Sequence, residues 1–484
     1  MLHVSKILEN AADVAPDAVA ATLDDDAPLT FADIERSANR TAHALLGTGI
    51  GRGDRVLWWG DTALEAVGVF AACAKIGAVF APLNARSSLE EVIPVAELAR
   101  AKIVLGFGAG DLVGQLAAHL GIPSALEDPA EPDAGERRPA VELDERDPHV
   151  IFFTSGSTGR PKGVVLSHRT NWLRTFVGAT TTPGGGGTVC MFPLFHMAGW
   201  TIALGAWQAR RAVHFVRVPD APTLLATTAR HRASRLYCIP AVWGRILEHG
   251  VEGYDLSSLV EADTGTSATP PELLTAIKAA LPHTATRVFY GSTEAGPSLS
   301  LGDTDLFRKP GSVGIAQPGV EVCVDEHGEV CVRSPFLMDG YFDDPDATAE
   351  ALAGGWYHTG DLGAIDADGY VAIVGRARDV IRTGGETVAP PEVEAVLGTH
   401  PDVTEVAVVG VPDMEWGEIV TAVVVVQPGA TLTVEALRAH CEGRLAAFKQ
   451  PRRLAVVDAL PRTAATGQIQ RPLIVERLQQ GGAG

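Results

Sequence analysis

The chain has 484 residues, of which 46% are hydrophobic and 20% are charged, a composition typical of a globular protein with a sizeable core. Its 39 basic and 59 acidic residues give a formal net charge of −20. This acidic surplus argues against nucleic acids and anionic membrane surfaces as partners, because proteins that bind them present a basic stripe. The six cysteines show no metal-ligand spacing, so we expect reduced thiols and a cytoplasmic location.

The N-terminal stretch, to about residue 121, alternates helical patterns with short apolar strands at 55–59 and 102–105. This alternation indicates a parallel α/β layer. The segment 66–83 is nearly apolar but carries Lys75 at its middle. A charge there disfavours a membrane span, so we expect a buried helix that runs into a strand.

An apolar strand from Val150 runs into Thr-Ser-Gly-Ser-Thr-Gly-Arg-Pro-Lys-Gly at 154–163, and a second apolar strand follows. Glycines let successive backbone N–H groups converge on an anion, and the hydroxyl groups and Lys162 complete a cradle for a polyphosphate. A Walker loop would instead open a helix. The sequence therefore predicts a phosphate-binding loop held between two strands.

Further motifs follow in order: Pro-Leu-Phe-His-Met at 193–197, Tyr-Gly-Ser-Thr-Glu at 290–294, Tyr-His-Thr-Gly-Asp at 357–361, Gly-Arg-Ala-Arg-Asp at 375–379 and Thr-Gly-Gly-Glu at 383–386. With these motifs the whole chain resembles the adenylate-forming superfamily of acyl-CoA synthetases, standalone adenylation domains and luciferases. The resemblance implies an α/β fold with a large, multi-layer N-terminal AMP-binding domain at 1–377. It also implies a small, mobile α+β cap domain at 378–484.

The resemblance implies ATP, Mg²⁺ and CoA as ligands. The residues implied to bind ATP are Thr154, Ser155, Gly156, Ser157, Thr158, Gly159, Lys162, Gly265, Thr266, Ser267, Tyr290, Gly291, Ser292, Thr293, Asp361 and Arg376. Within this set Tyr290 would stack on adenine and Asp361 would bind the ribose hydroxyls. Glu294 and Thr158 would hold Mg²⁺. The implied catalytic residues are Lys162, Thr158, His196, Glu294 and Gln468.

By the same resemblance, a small-molecule acid would lie in a pocket lined by His196, Met197, Trp200, Pro240, Trp243, Asp263, Gly265 and Tyr290. The two tryptophans favour an aromatic or medium-sized acid. Asp263 is expected either to contact an amine or hydroxyl of the acid or to cap backbone N–H groups from a loop. The residues expected at the hinge or the CoA site are Arg378, Asp379, Gly384, Gly385 and Glu386.

The implied reaction has two halves: the acid attacks ATP to give an acyl-AMP, and CoA then takes the acyl group after the cap domain rotates. Two alternatives stay open at this point. The adenylate could pass to an amine or a carrier protein, which includes nitrite activation as in diazotase-like relatives, or the chain could bind nucleotide without turnover. Whether the chain is a monomer or a homodimer is open as well.

Four positions depart from the family pattern. Thr266 stands where a second glycine is usual, Arg378 replaces the usual Asp or Lys, and Thr387 replaces a usual Asn. The most informative departure lies near the C-terminus. The C-terminal motif normally ends in Gly-Lys, whereas this chain has Gly467-Gln468. A neutral amide cannot offset the charge of two anions that meet during adenylation. Four explanations stay open: an engineered change, replacement of the charge by Arg462, Arg471 or Lys449, a natively slow enzyme, or an unusual acid or acceptor.

Overall fold

The computed structural model describes residues 1–126, 133–155, 161–181, 185–384, 386–463 and 467–480. The chain forms two compact units. Unit 1 consists of Met1–Pro310, Gly314–Glu321 and Val332–Tyr357, and unit 2 consists of Gly311–Val313, Val322–Cys331 and the described residues of His358–Gly484. The predicted α/β class, with a large N-terminal and a small C-terminal part, is confirmed. A mobile cap that begins at residue 378 stays a prediction.

The α-helices follow one another along the chain as α1 (Ser5–Val14), α2 (Phe31–Gly47), α3 (Leu64–Ile76), α4 (Leu89–Ala99), α5 (Leu112–Leu120), α6 (His168–Thr181), α7 (Met197–Gln208), α8 (Ala221–Arg230), α9 (Pro240–His249), α10 (Pro271–Ala280), α11 (Pro345–Ala351), α12 (Pro390–Leu397), α13 (Val434–Cys441) and α14 (Arg471–Gln480).

The first strands are β1 (Val19–Leu23), β2 (Leu29–Thr30), β3 (Arg55–Trp59), β4 (Val79–Leu83), β5 (Ile103–Leu105), β6 (Pro148–Ser155), β7 (Pro161–Ser167), β8 (Thr188–Cys190), β9 (Val213–Phe215), β10 (Arg235–Tyr237), β11 (Glu261–Gly265) and β12 (Ala285–Ser292). The others are β13 (Gly296–Leu301), β14 (Ser312–Ala316), β15 (Glu321–Val324), β16 (Glu329–Arg333), β17 (Gly340–Tyr341), β18 (Tyr357–Ile365), β19 (Val371–Arg376), β20 (Ile381–Thr383), β21 (Glu386–Val388), β22 (Val403–Asp413), β23 (Gly417–Val426) and β24 (Arg453–Val456).

Two sheets form the framework of unit 1. One sheet has the order β17-β7-β6-β4-β3-β5, in which β6 and β7 pair in antiparallel fashion, whereas the pairs β6–β4, β4–β3 and β3–β5 are parallel. In the other, β12, β11, β10, β8, β9 and β1 lie side by side in parallel. Successive parallel strands require a crossover, and helices such as α8, α9 and α10 supply it.

Unit 2 is built from shorter antiparallel ribbons. Strands β15, β16, β18 and β19 are neighbours in that order. A second sheet has the order β21-β20-β23-β22, with β24 parallel to β23. Helices α12 and α13 contribute to one apolar core, in which Val393, Leu397 and Leu437 are buried against the strands.

The apolar segment 66–83 forms α3 and β4, as predicted. Its charge is neutralised inside the protein, because the Lys75 ammonium lies 3.3 Å from a carboxylate oxygen of Glu9 and 2.9 Å from one of Glu35. A buried ammonium needs such partners. Among the described residues, no helix combines the length and apolar character required to span a bilayer.

Two buried histidines lie next to the hairpin of β6 and β7. His149 of β6 and His168 of α6 stack with ring centroids 4.9 Å apart. Burial lowers the pKa of His168 to about 3, and burial, reinforced by His168, lowers the pKa of His149 well below its usual range. The His168 ring accepts a hydrogen bond from the backbone N–H of Val4, and the His149 ring is hydrogen-bonded to the Asn171 side chain. Both side chains are therefore neutral at physiological pH.

Candidate active site

The candidate site residues of unit 1 collect at one edge of the parallel sheet. His196 follows β8 on the way to α7, Gly265 ends β11, and Tyr290 lies near the end of β12. Strands β8, β10, β11 and β12 are parallel, so their carboxyl ends share this edge. Ligands of open α/β sheets bind at this edge, outside the carboxyl ends of the strands.

The segment predicted to bind phosphate lies between two paired strands, as the sequence indicated. Strands β6 and β7 pair in antiparallel register, with Thr154 opposite Lys162 and Ser155 opposite Pro161. This pairing places the lysine at the base of the loop. The predicted ATP ligands Gly156, Ser157, Thr158 and Gly159 lie outside the described residues, so their roles, including the Mg²⁺ role of Thr158, stay predictions.

Tyr341 connects two predicted catalytic residues. Strand β17 pairs with β7 and sets Tyr341 opposite Val164, two residues from Lys162. The Lys162 ammonium lies 4.6 Å from the centre of the Tyr341 ring, a cation–π distance. The Tyr341 hydroxyl donates a 3.2 Å hydrogen bond to Oε1 of Glu294. Burial, followed by the charge of Glu294, raises the pKa of Tyr341, so the hydroxyl stays a donor.

Glu294 has a free oxygen for a metal ion. It lies in the turn between β12 and β13, half-buried. Among the described residues its second carboxylate oxygen accepts no hydrogen bond, whereas the first is held by Tyr341. A carboxylate oxygen fixed in this way suits Mg²⁺, a hard cation that prefers oxygen ligands. The residue therefore fits the predicted role.

Arg174 holds the turn between β12 and β13 through hydrogen bonds to its backbone. Its guanidinium donates to the carbonyl oxygens of Thr293 at 3.1 Å, Glu294 at 3.5 Å and Phe336 at 2.8 Å. The side chain is 1% exposed. Burial lowers the pKa of Arg174 to about 10, while the charges of Asp339 and Glu294 oppose this shift. The arginine thus stays charged and ties the Thr293–Glu294 backbone to the chain before β17.

The predicted adenine-edge segment carries a strained residue. Gly265 has φ +150°, and a Cβ there would lie 2.2 Å from the Phe289 carbonyl oxygen, so only glycine fits. Thr266 follows with φ +68°, a left-handed conformation that β-branched residues rarely adopt. This is the position where the family pattern usually has a second glycine. Its threonine therefore costs conformational energy beside the predicted nucleotide site.

His196 is positioned by the start of α7. Its Nδ1 accepts a 3.2 Å hydrogen bond from the backbone N–H of Ala198, and its ring stacks on Phe192 with centroids 5.9 Å apart. Burial lowers the pKa of His196 to about 4. The ring is therefore neutral near pH 7, and it is half-buried, as is the adjacent Met197.

The expectation that Trp200 and Trp243 line the acid pocket is wrong. Trp200 is 2% exposed, stacks on Phe70 at 3.9 Å and donates from its indole to the Leu194 carbonyl oxygen. Trp243 is 0% exposed and donates to the Asp263 carbonyl oxygen at 2.8 Å. Both indoles fill the core, and so neither limits the size of the acid. Pro240 is likewise buried, as the first residue of α9.

Asp263 is neither a loop cap nor a free contact for substrate. It lies in β11, 0% exposed, and its carboxylate is 2.6 Å from Arg235 and 2.8 Å from Arg287. Although burial opposes ionisation, these two arginines hold the pKa of Asp263 below its usual range. Arg287 also pairs with Glu261 at 2.5 Å. The four groups form a closed, neutral network beneath the strand end.

In unit 2, the two residues predicted to contact the ribose lie together. Asp361 of β18 is opposite Arg376 of β19, and the Arg376 Nε lies 2.6 Å from Asp361 Oδ1. The carboxylate is mostly buried, whereas the guanidinium is largely exposed. The segment before Asp361 is fixed by Thr359, whose hydroxyl donates to the Val330 carbonyl oxygen at 2.7 Å. A fixed carboxylate beside an arginine can bind paired hydroxyls.

The predicted hinge and CoA residues are described in part. Arg378 and Asp379 lie in a single 3₁₀ turn after β19, and Asp379 is 3.4 Å from Arg471. Gly384 joins β20 to β21 in a left-handed conformation, φ +59°, and its N–H donates to the Trp416 carbonyl oxygen. Glu386 begins β21. Gly385 lies outside the described residues.

The three cations that could replace the missing charge at Gln468 are each in an ion pair within unit 2. Arg462 lies 2.7 Å from Glu405, and Lys449 lies 2.6 Å from Glu392. Arg471 is 2.6 Å from Glu394. Gln468 itself is exposed and its backbone pairs with Thr463. Each substitute would first have to leave a carboxylate.

The fold and the motifs together define an AMP-binding enzyme. The family model described as AMP-binding enzyme matches residues 8–342, and the model of the AMP-binding enzyme C-terminal domain matches residues 392–466. The chain therefore belongs to the AMP-binding enzyme family, which confirms the resemblance seen in the sequence.

Known relatives narrow the class. The chain is 32% identical over 479 residues to the long-chain-fatty-acid–CoA ligase FadD13 of Mycobacterium tuberculosis, covering 93% of both chains. It is 33% identical over 460 residues to a feruloyl-CoA synthase of an Amycolatopsis species, covering 91% of this chain and 92% of the relative. The crystal structure of ATP-bound MatB from Rhodopseudomonas palustris matches with a TM-score of 0.87 at 28% identity, over 99% of this chain and 100% of that one.

Proposed function

We propose that the chain is an ATP-dependent acid–CoA ligase of the AMP-forming type. The observation that carries this proposal is the arrangement at the phosphate-binding hairpin, where Tyr341 joins the ammonium of Lys162 to the carboxylate of Glu294. In the first half-reaction, a carboxylate oxygen of the acid attacks the α-phosphorus of ATP. The bond from that phosphorus to the bridging oxygen breaks, and pyrophosphate leaves with the electron pair.

In the second half-reaction, the CoA sulfur attacks the acyl carbon, AMP leaves, and the thiol proton passes to solvent. The cap domain predicted at 378–484 would bring its Gly384–Glu386 loop to this step by rotating about Arg378. We infer that the acyl-AMP formed in the first half-reaction stays in the site and is the substrate of the second. The predicted cap domain would therefore take a different position for each half-reaction.

The chain's own groups act mainly by position and charge. Lys162 neutralises phosphate charge at the base of the loop, Tyr290 offers a ring face to adenine, and Thr293 lies in a turn that Arg174 holds in place. Mg²⁺ bound at Glu294 would supply further positive charge to the phosphates. Electrostatic stabilisation by fixed groups is the main contribution in phosphoryl-type transfer.

The acid that fits this chain carries no second charge near its acyl end. Of the pocket residues, His196 is neutral and Asp263 is neutralised by two arginines. Neither offers an anionic partner to the ammonium group of an amino acid. We therefore propose a monocarboxylic acid that carries no charge besides its carboxylate. A cytoplasmic location fits the cysteines, which are free thiols.

The test is formation of AMP and pyrophosphate from ATP with a panel of monocarboxylic acids, with and without CoA. We expect AMP to form at a rate that depends on both acid and CoA, and Lys162→Met to abolish it. Lys278→Met is the matched control, since that lysine pairs with Asp303 away from the hairpin. No AMP from a broad panel would refute the proposal.

The Gln468 position favours a second candidate, a ligase with slow adenylation or an unusual acceptor. The observation that favours this candidate is that the three cations that could replace the missing charge are each paired with a carboxylate: Arg462, Arg471 and Lys449. If this candidate is correct, Gln468→Lys raises ATP–pyrophosphate exchange by about tenfold or more, since a charge placed at a developing anion contributes several kcal/mol. AMP formation that requires an amine and ignores CoA would identify the unusual acceptor.

A further inference from the structure

Four side chains of unit 2 converge beside the segment that leads to Asp361. One donor atom each from Asp325, Glu329, Cys331 and His358 lies within 4.8 Å of the other three. The Nδ1 atom of His358 is 3.5 Å from the Cys331 sulfur and 3.1 Å from Oε2 of Glu329. Cys331 is buried, and the other three are half-buried. The residues come from a β15–β16 hairpin and from β18, so their spacing in the sequence gave no sign of the cluster.

The separations match those around a small tetrahedral ion. Zinc binds thiolate sulfur at about 2.3 Å and imidazole nitrogen or carboxylate oxygen at about 2.0–2.2 Å, which places neighbouring ligands about 3.2–3.7 Å apart. The measured 3.5 Å and 3.1 Å from His358 to Cys331 and Glu329 are close to these values. An ion would therefore need only small side-chain shifts to reach these three atoms.

The backbone holds the two carboxylates in place. Asp325 accepts hydrogen bonds from the backbone N–H groups of His327 and Glu329 at 2.9 and 2.8 Å. Glu329 uses Oε1 to accept from the N–H of Gly360 at 2.7 Å and keeps Oε2 toward His358. Ligands fixed by outer hydrogen bonds lose little freedom when an ion binds, which favours affinity.

The charge of the cluster also favours a cation. The carboxylates of Asp325 and Glu329 supply negative charge beside the Cys331 sulfur and the His358 ring. A simple ion pair between His358 and Glu329 would use two of the four groups. It would leave a buried thiol and a second carboxylate directed at the same point.

We propose that Asp325, Glu329, Cys331 and His358 bind a Zn²⁺ ion. A thiolate and an imidazole favour zinc over Mg²⁺ and Ca²⁺, which prefer oxygen ligands alone. The ion would tie β16 to β18 and, through Glu329, steady the backbone at Gly360, which precedes Asp361. This site is independent of the ligase activity proposed above, since zinc binding is measured without acid, ATP or CoA.

The test is a zinc titration of the full chain, stripped with a chelator and dialysed, against a chromophoric zinc indicator. We expect one Zn²⁺ per chain, and at least about tenfold weaker binding in Cys331→Ser and in His358→Gln. His327→Gln is the matched control, because this exposed histidine lies in the same hairpin, pairs with Glu326 and is not one of the four proposed ligands. Circular dichroism and thermal unfolding without metal establish that each variant is folded.

A second measurement needs no variant. Co²⁺ added to the stripped chain should give the intense visible bands of a tetrahedral site and the near-ultraviolet charge-transfer band of a cobalt–thiolate bond. No competitive zinc binding, or binding that Cys331→Ser and His358→Gln leave unchanged, would overturn the proposal. A Co²⁺ spectrum without the thiolate band would overturn it as well.

Discussion

Removing one oxygen atom from Tyr341 tests the arrangement at the hairpin. Tyr341→Phe deletes the hydroxyl that donates 3.2 Å to Glu294 and keeps the ring that lies 4.6 Å from Lys162. The substitution thus separates the orientation of the carboxylate from the contact with the lysine. We expect Glu294 to lose its fixed orientation while the fold and the Lys162 contact persist.

The magnitude follows from the kind of bond. A hydrogen bond to a charged group contributes about 1.5–3 kcal/mol when buried, and the half-buried position of Glu294 reduces this to about 1.4 kcal/mol, a factor of about ten. The Mg²⁺ concentration for half-maximal AMP formation should therefore rise about tenfold. Because the lysine keeps its cation–π contact, the KM for ATP at saturating Mg²⁺ should change by less than about threefold.

The assay is AMP release as a function of Mg²⁺ at fixed ATP and acid. Tyr341→Leu should add a rise in the KM for ATP, since it removes the ring under Lys162 as well. Tyr254→Phe is the matched control, because that hydroxyl forms an exposed hydrogen bond with His249, a residue outside the predicted site. If Tyr341→Phe lowers kcat with an unchanged Mg²⁺ dependence, the inference that Tyr341 orients a metal ligand is refuted.

Three further predictions concern stability. Arg174→Met should lower the free energy of unfolding by about 3 kcal/mol in urea titrations, since it removes the arginine donor from the carbonyl oxygens of Thr293 and Phe336 in a buried setting; Arg174→Lys should lose less, and equal losses would contradict this role. Thr266→Gly should raise it by about 1 kcal/mol by relieving φ +68°, whereas Ser267→Gly should not. Finally, His168 has a pKa of about 3 in the folded chain and about 6.5 in an unfolded one. Below pH 6.5 only the unfolded state takes up the His168 proton, so the contribution of His168 to the stability present at pH 7 should fall by about 1.4 kcal/mol per pH unit down to about pH 3. His168→Asn should flatten the profile, and an identical profile would exclude the histidine as the cause.

Local patterns gave the framework of the site correctly. The glycine- and hydroxyl-rich run between apolar strands predicted a hairpin, and β6 and β7 form it with Lys162 at the base. The order of the motifs gave the family. A single lysine in the apolar segment 66–83 was enough to predict a buried helix and strand instead of a membrane span. A charge inside a protein must be paired, and Lys75 is paired with Glu9 and Glu35.

Long-range contacts were beyond the same reasoning. Arg174 meets Thr293 across 119 positions of the chain, and a helical arginine is usually expected at the surface. Tyr341 reaches Lys162 only because β17 adds to the edge of β7. Trp243 was misassigned, since a tryptophan near a pocket motif and one in the core look alike in sequence. The sequence thus indicates the candidate catalytic and binding residues more readily than the residues that position them.

The register of β6 against β7 sets a limit on how this protein can be remodelled. Thr154 and Lys162 are fixed opposite one another by pairs that continue as far as Pro148 and Ser167. A strand that slips by one residue turns every side chain to the other face. Any insertion in the loop must therefore be accommodated within the loop itself, because moving β7 to absorb it would carry Lys162 away and bring Pro161 into its place. The strand register fixes the position of Lys162. The length of the loop can therefore be changed by engineering only if the pairing of β6 with β7 is kept.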